Sequence, residues 1–165
     1  MTEQPYFEKV QSLKTSLLFV TLMLVFSVLF VWRVTEVGYR FFPVICLIAA
    51  MLFLFYVINY RTLKIEITEE VLALKFGLVG WKSRLDNIQA CQLDDSPIWI
   101  KYGGAGVHFA LVFKKYRAFF NFLEYPRVLI TFHRKQGLVQ ALTFTTRQPD
   151  KVLAIINSRI EKNYE

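Results

Sequence analysis

The chain begins with long uncharged stretches and changes abruptly to an alternation of period two. From Thr15 to Trp32 (TSLLFVTLMLVFSVLFVW) no charged residue occurs. At 1.5 Å rise per residue such a helix is about 27 Å long, close to the roughly 30 Å hydrocarbon core of a bilayer. A second run, Phe41 to Tyr60 (FFPVICLIAAMLFLFYVINY), is also uncharged and is bracketed by Arg40 and Arg61. Trp32, Tyr39, Tyr56 and Tyr60 stand near the ends of the runs, where amphipathic rings favour the headgroup layer. Pro43 falls in the first turn of the second helix, where a missing N–H costs little. The pattern predicts a hairpin of two transmembrane helices over 15–60, at about 15–32 and 41–60, after an N-terminal segment 1–14. Neither run has the polar face of a soluble amphipathic helix. The first is longer than the ~7 to 15 apolar residues of a cleaved signal and continues into VWRVTE.

From Leu63 the polar and apolar positions alternate. LKIEIT sets Leu63, Ile65 and Ile67 against Lys64, Glu66 and Thr68; Glu69 and Glu70 make a turn, and VLALKF (71–76) alternates again, which predicts a β-hairpin. Gly77 and Gly80 punctuate the next turn. Further strands are expected at 81–85, 88–93, 107–113, 128–133 and 138–145, with Arg134 to Gly137 as a hairpin turn. The last element reads as a helix from about Pro149 to Lys162. Pro149 suits its first position and Asp150 the positive end of its dipole, while Val152, Leu153, Ile155, Ile156 and Ile160 form an apolar stripe to pack on the sheet. The expected fold is α+β: a helix hairpin, then a domain over 61–165 built as a meander of about seven strands closed by one amphipathic helix.

Composition sharpens this picture. The 55% hydrophobic fraction exceeds the roughly 45 to 50% of ordinary globular chains, and the excess lies before Arg61. Residues 1–60 hold Lys9, Lys14, Arg33 and Arg40 against Glu3, Glu8 and Glu36, so six of the seven net positive charges belong to 61–165. A basic domain tethered to a bilayer is drawn to anionic headgroups by about 1 kcal/mol per Lys or Arg near the surface. Lys9 and Lys14 flank the first helix and Arg61 and Lys64 follow the second, while the connecting loop holds Arg33, Arg40 and Glu36. These flanks predict a cell-membrane protein with both termini in the cytoplasm. Cys46 and Cys91 stand far apart without neighbouring ligands, which argues against a disulfide framework and a zinc site.

The order of these segments resembles a known family. KIEITEEVLALKFGLVG, the basic WKSRL, DNIQACQL, the loop KYGGAGVHF and TFTTRQPDKVLAIINSRI look like the bacterial pleckstrin-homology-like (PH-like) domain proteins, many of which are small membrane proteins with two N-terminal helices. The most specific element is Tyr102-Gly103-Gly104-Ala105-Gly106-Val107-His108, similar to that family's YGG-x-G followed by an aliphatic and a basic residue. The resemblance implies a PH-like antiparallel barrel capped by the C-terminal helix, with no assigned activity. The segment KKYRAFFNFLEYPR falls outside the family's pattern.

Candidate chemistry is sparse. The glycine loop Tyr102, Gly103, Gly104 and Gly106 lacks the following helix and Lys-Ser/Thr pair of a phosphate loop, so it reads as a structural turn or bulge needing φ > 0 or close backbone approach. His108 and His133 are isolated and read as strand residues with satisfied hydrogen bonds. Asp86, Asp94 and Asp95 read as solvated loop acids, with no nucleophile pattern beside them. No catalytic residue, cofactor or metal site is expected. The segment 114–127 is the most informative: Lys114, Lys115, Arg117 and Arg127 interleave with Tyr116, Phe119, Phe120, Phe122 and Tyr125. Either these groups contact anionic lipid or a partner, or they form a long hairpin whose aromatics fill the barrel and whose charges are solvated. RNA-binding signatures are absent, so nucleic acid is not expected. The helices carry no ionisable residue to mark a transport path. The expected function is a membrane-anchored, non-catalytic binding or scaffold module that meets a protein partner, another copy of itself or anionic headgroups. The alternative is an accessory subunit of a transport or secretion complex.

Overall fold

In a computed structural model of the chain, residues 5–96 and 105–162 are described. Two long helices, α1 (Leu13–Val37) and α2 (Phe41–Asn59), are each long and apolar enough to cross a membrane. Only 6% of the apolar stretch of α1 and 17% of that of α2 are buried, so neither is a core helix of the domain. Ser12 caps α1 by accepting a hydrogen bond from the Thr15 amide at 3.0 Å, and the helix ends at Gly38. The two helices pack along an aromatic seam in which Phe53 stacks on Phe26 at 5.6 Å and Tyr56 meets Phe19 at 5.3 Å.

The N-terminal segment is more than a lead-in. Tyr6–Gln11 forms strand β1, antiparallel to β2 (Thr62–Ile67), with Gln11 opposite Thr62 and Tyr6 opposite Ile67. The helical hairpin is thus an insertion between two hydrogen-bonded neighbours. Its two ends leave and re-enter the domain side by side. β3 (Val71–Phe76) and β4 (Val79–Arg84) complete a four-stranded antiparallel sheet in sequence order. Alternation places Leu63, Ile65 and Ile67 of β2 and Leu72, Leu74 and Phe76 of β3 in the core.

A 3-10 turn (Leu85–Asn87) leads to the second sheet, formed by β5 (Ile88–Leu93), β6 (Gly106–Val112), β7 (Lys115–Asn121), β8 (Arg127–Gln136) and β9 (Val139–Thr145). Here the expected meander is corrected. The strand order is β5-β8-β9-β7-β6, and β7 runs parallel to β9. Neither sheet closes into a barrel. The cause is the segment 114–127, expected as part of a hairpin, which supplies β7 and inserts it parallel beside β9. The sheets meet through Phe76, whose ring lies 5.1 Å from Phe122 and 6.2 Å from Phe120. Helix α3 (Pro149–Lys162) buries Val152 and Ile156 against this core and packs on β5, as its apolar stripe predicts.

Candidate functional site

The base of the domain, where the hairpin is inserted, is clasped from both sides. At the end of α2, Asn59 donates from Nδ2 to the Phe55 carbonyl at 3.0 Å and accepts the Leu78 amide on Oδ1 at 3.2 Å. Gly77 must be glycine there: a Cβ would lie 2.9 Å from the Asn59 backbone, at φ +48°. The following residue, Tyr60, is met by the start of β6, where Gly106 has φ +89° and a Cβ would lie 2.8 Å from the Tyr60 ring. The reading of Gly106 as a position of positive φ and close approach therefore holds, although the approach is to a ring. Tyr102, Gly103 and Gly104 lie outside the described residues.

On the α1 side, Glu124 accepts from the Ser12 hydroxyl and from the Lys14 amide at 3.1 Å. The Ser12 hydrogen bond is the main reason the Glu124 carboxyl is held below its ordinary range. Tyr125 donates to the Gln11 carbonyl at 2.8 Å, and Arg147 donates through Nη2 to that carbonyl and to the Tyr125 oxygen, each at 3.0 Å. Deeper, the buried Glu8 carboxylate accepts from Tyr6 at 2.9 Å, Thr146 at 2.6 Å and the Arg147 amide at 2.8 Å. These bonds tie β1 to the C-terminal end of β9 across the point of insertion.

The segment 114–127 divides into exposed and buried parts. Lys114, Lys115 and Tyr116 are exposed at the turn between β6 and β7. Phe119 and Phe120 are 0% and 1% exposed, and Arg117 and Arg127 are 6% and 4% exposed. Those four residues are therefore not a contact surface, which corrects that half of the expectation. It also corrects the reading of the charges as solvated. Phe120 fills the core between the sheets, while Arg117 and Phe119 point to the opposite face of β7.

That opposite face holds a buried ionic cluster. The Asp94 side chain is only 1% exposed. Its Oδ1 lies 3.7 Å from Arg117 Nη1 and its Oδ2 lies 3.1 Å from Arg127 Nη2. Asp94 is thus no solvated loop acid. The Arg127 contact is not aligned as a hydrogen bond, since both Oδ2 and Nη2 lack a hydrogen-bond partner, so the attraction there is coulombic. Ser96 links the cluster by bonding Asp94 Oδ1 and accepting from Arg117 Nη1 at 3.2 Å. Burial lowers the proton affinity of both guanidiniums, with Asp94 opposing the shift in each. Asn121 and Thr143 add unpaired polar atoms.

His108 stacks flat on Phe119 at 4.7 Å, and its pKa is lowered by burial first and by Arg127 second. Its Nδ1 is buried without a partner, so the satisfied hydrogen bond expected for it is not found at that atom. His133 is exposed on β8, and Asp86 pairs with Arg84 at 2.7 Å. Among the described residues no group of three or more His, Cys, Asp or Glu side chains is placed to hold a metal ion.

The exposed part of the segment sits far from the base. β6 starts against Tyr60 and runs six register steps, from Gly106↔Asn121 to Val112↔Lys115, or roughly 20 Å at about 3.3 Å per residue. At that tip Phe113 and Lys114 form a two-residue turn with φ of +48° and +63°. A turn of this kind favours Asn-Gly, and side-chain-bearing residues in it cost about 1–2 kcal/mol each. Phe109, Leu111, Phe113 and Tyr116 are exposed there at 51%, 70%, 72% and 37%, and Phe109 stacks on Tyr116. Phe109 and Leu111 lie on the edge strand β6, Phe113 in the turn beside Lys114, and Tyr116 on β7 next to Lys115. No family model matches the chain, and neither a curated protein nor a solved structure matches it.

Proposed function

We propose that the chain is an integral membrane protein of the PH-like kind, a non-catalytic binding module whose helical hairpin spans the bilayer and holds the domain at its cytoplasmic surface. The observation that carries this reading is the insertion of the hairpin between paired β1 and β2, with Gln11 opposite Thr62. Both chain ends then lie on one side of the membrane, and the base clasp fixes the orientation of the domain. The kinship with PH-like proteins is supported by a strand-rich domain closed by one amphipathic C-terminal helix. The parallel β7–β9 pair stands outside that family's meander.

In this reading β6 leads away from the supporting bilayer from its start against Tyr60, so that Lys114 and Lys115 serve a protein partner rather than that bilayer's headgroups. The partner's surface is acidic, because two lysines flank the apolar group and the domain carries most of the net positive charge. A photo-crosslinking residue at Leu111, in the full chain in native membranes, tests this. The expected result is an adduct of discrete mass that falls at least fivefold when Lys114→Glu and Lys115→Glu are combined. An adduct indifferent to charge reversal, or one at twice the mass of the chain, contradicts an acidic partner.

A further inference from the structure

The cleft between the hairpin and the domain has two chemically distinct walls. Its volume is about 760 Å³, within the roughly 300 to 1,000 Å³ of small-molecule sites. Leu13 and Val20 of α1 and Val57 and Ile58 of α2 supply an apolar wall continuous with the exposed surface of the hairpin. Arg61 and Arg147 line it from the domain side.

The two cations differ in what holds them. Arg147 is fixed by its bonds to Gln11 and Tyr125 and lies over the Tyr125 ring at 5.1 Å. Arg61 is exposed, and its guanidinium has no ion pair or hydrogen bond among the described residues. The acid in the lining, Glu124, is occupied by Ser12 and the Lys14 amide. The cleft therefore offers two positive groups and one engaged negative group beside a wall suited to methylene chains.

We infer that this cleft binds one anionic phospholipid, its phosphate between Arg61 and Arg147 and its upper acyl chain against Val20, Val57 and Ile58. The assignment rests on the proposal that the hairpin spans a bilayer, since the headgroup layer then falls at the level of Arg61. A soluble phosphate would use the cations but leave the apolar wall uncovered. The bound lipid completes the seat of the domain on the membrane, bridging helix and sheet beside the clasp.

The test uses the full chain purified in non-ionic detergent, with bound lipid counted by native mass spectrometry after addition of phosphatidylglycerol or phosphatidylcholine. One retained phosphatidylglycerol per chain is expected, with phosphatidylcholine lost. Arg61→Gln should weaken retention about fivefold, the equivalent of ~1 kcal/mol for one cation at an anionic surface. Val20→Trp, which fills the apolar wall, should weaken it as well, whereas Lys114→Gln with Lys115→Gln at the distant tip should leave it unchanged. Equal retention of the two lipids, or retention unchanged in Arg61→Gln, overturns the assignment. So does equal thermal stabilisation by inorganic phosphate alone, which would identify a soluble anion as the occupant. Flotation of the same protein with liposomes separates this from the larger proposal: a chain that fails to float refutes the spanning hairpin, and one that floats without lipid preference refutes only the site.

Discussion

Replacing Asp94 by asparagine should destabilise the domain by about 3–5 kcal/mol, the usual cost of removing one partner from a buried ion pair. The physical reason is the arrangement on the second face of the five-stranded sheet. Asp94 is the counter-charge set between two guanidiniums that are themselves almost fully buried, with Arg127 at 3.1 Å and Arg117 at 3.7 Å. Without its charge the two arginines repel one another in a poorly screened environment. Against a total stability of ~5–15 kcal/mol for a typical domain, such a loss is a large fraction. The midpoint of urea unfolding of the full chain in detergent, followed by the strand signal in circular dichroism, reads it directly. Adding Arg117→Met to Asp94→Asn should recover part of the loss by removing one uncompensated charge. An unfolding free energy within about 1 kcal/mol of the parent's would show that the cluster is hydrated and not buried.

Gly106→Ala should also destabilise the domain strongly, and its cost should depend on Tyr60. An alanine at φ +89° carries about 1–2 kcal/mol of backbone strain. Its Cβ would also stand 2.8 Å from the Tyr60 ring, an overlap worth ~1–3 kcal/mol when neighbours must shift. In a Tyr60→Ala background the overlap vanishes and only the backbone part should remain, so a double-mutant cycle on the unfolding midpoint separates the two. If the cost is the same in both backgrounds, β6 does not rest on the end of α2.

The elements that were legible in the sequence are those whose alternation or apolar run is uninterrupted. Both long helices, the β2–β3 hairpin and α3 overlap their expected ranges, although α1 runs five residues past its expected end. The long helices do so because their uncharged runs are unbroken, the hairpin and α3 because their buried positions are mainly aliphatic or aromatic. β1 escaped because its inward face carries Glu8 between Tyr6 and Val10. A carboxylate on a buried face breaks the hydrophobic period, and its three hydrogen-bond donors lie close in sequence or at residues 146 and 147, where no local pattern links them. β7 escaped for a related reason. Both of its faces are buried, so Arg117, Ala118, Phe119, Phe120 and Asn121 show no alternation.

The site was legible in kind more than in detail. Lys114 to Arg127 did stand out as basic and aromatic, and the tip residues Lys114, Lys115 and Tyr116 are exposed as a contact surface requires. Charge alone could not tell those lysines from Arg117 and Arg127, whose common partner Asp94 is more than twenty residues upstream. That ionic cluster depends on the β5–β8 and β7–β9 neighbours being adjacent, and adjacency of this kind is a property of topology. The one local signal for it was a pair of acids closing β5 in an otherwise basic domain.

The central claim is that the domain stands on the bilayer at the base of its hairpin, with the β6–β7 tip held away from the surface. It is tested most directly by the depth of two fluorophores in bilayers containing nitroxide-labelled lipid headgroups. One is placed at Leu78→Cys, beside the Asn59 clasp, and the other at Lys114→Cys, at the tip. The native cysteines interfere little, since Cys46 and Cys91 are buried and burial pushes the Cys91 thiol up to about 12. With the tip roughly 20 Å beyond the base, quenching at Leu78 should be strong and quenching at Lys114 near that of a probe free in solution. Equal quenching at the two positions would contradict the account.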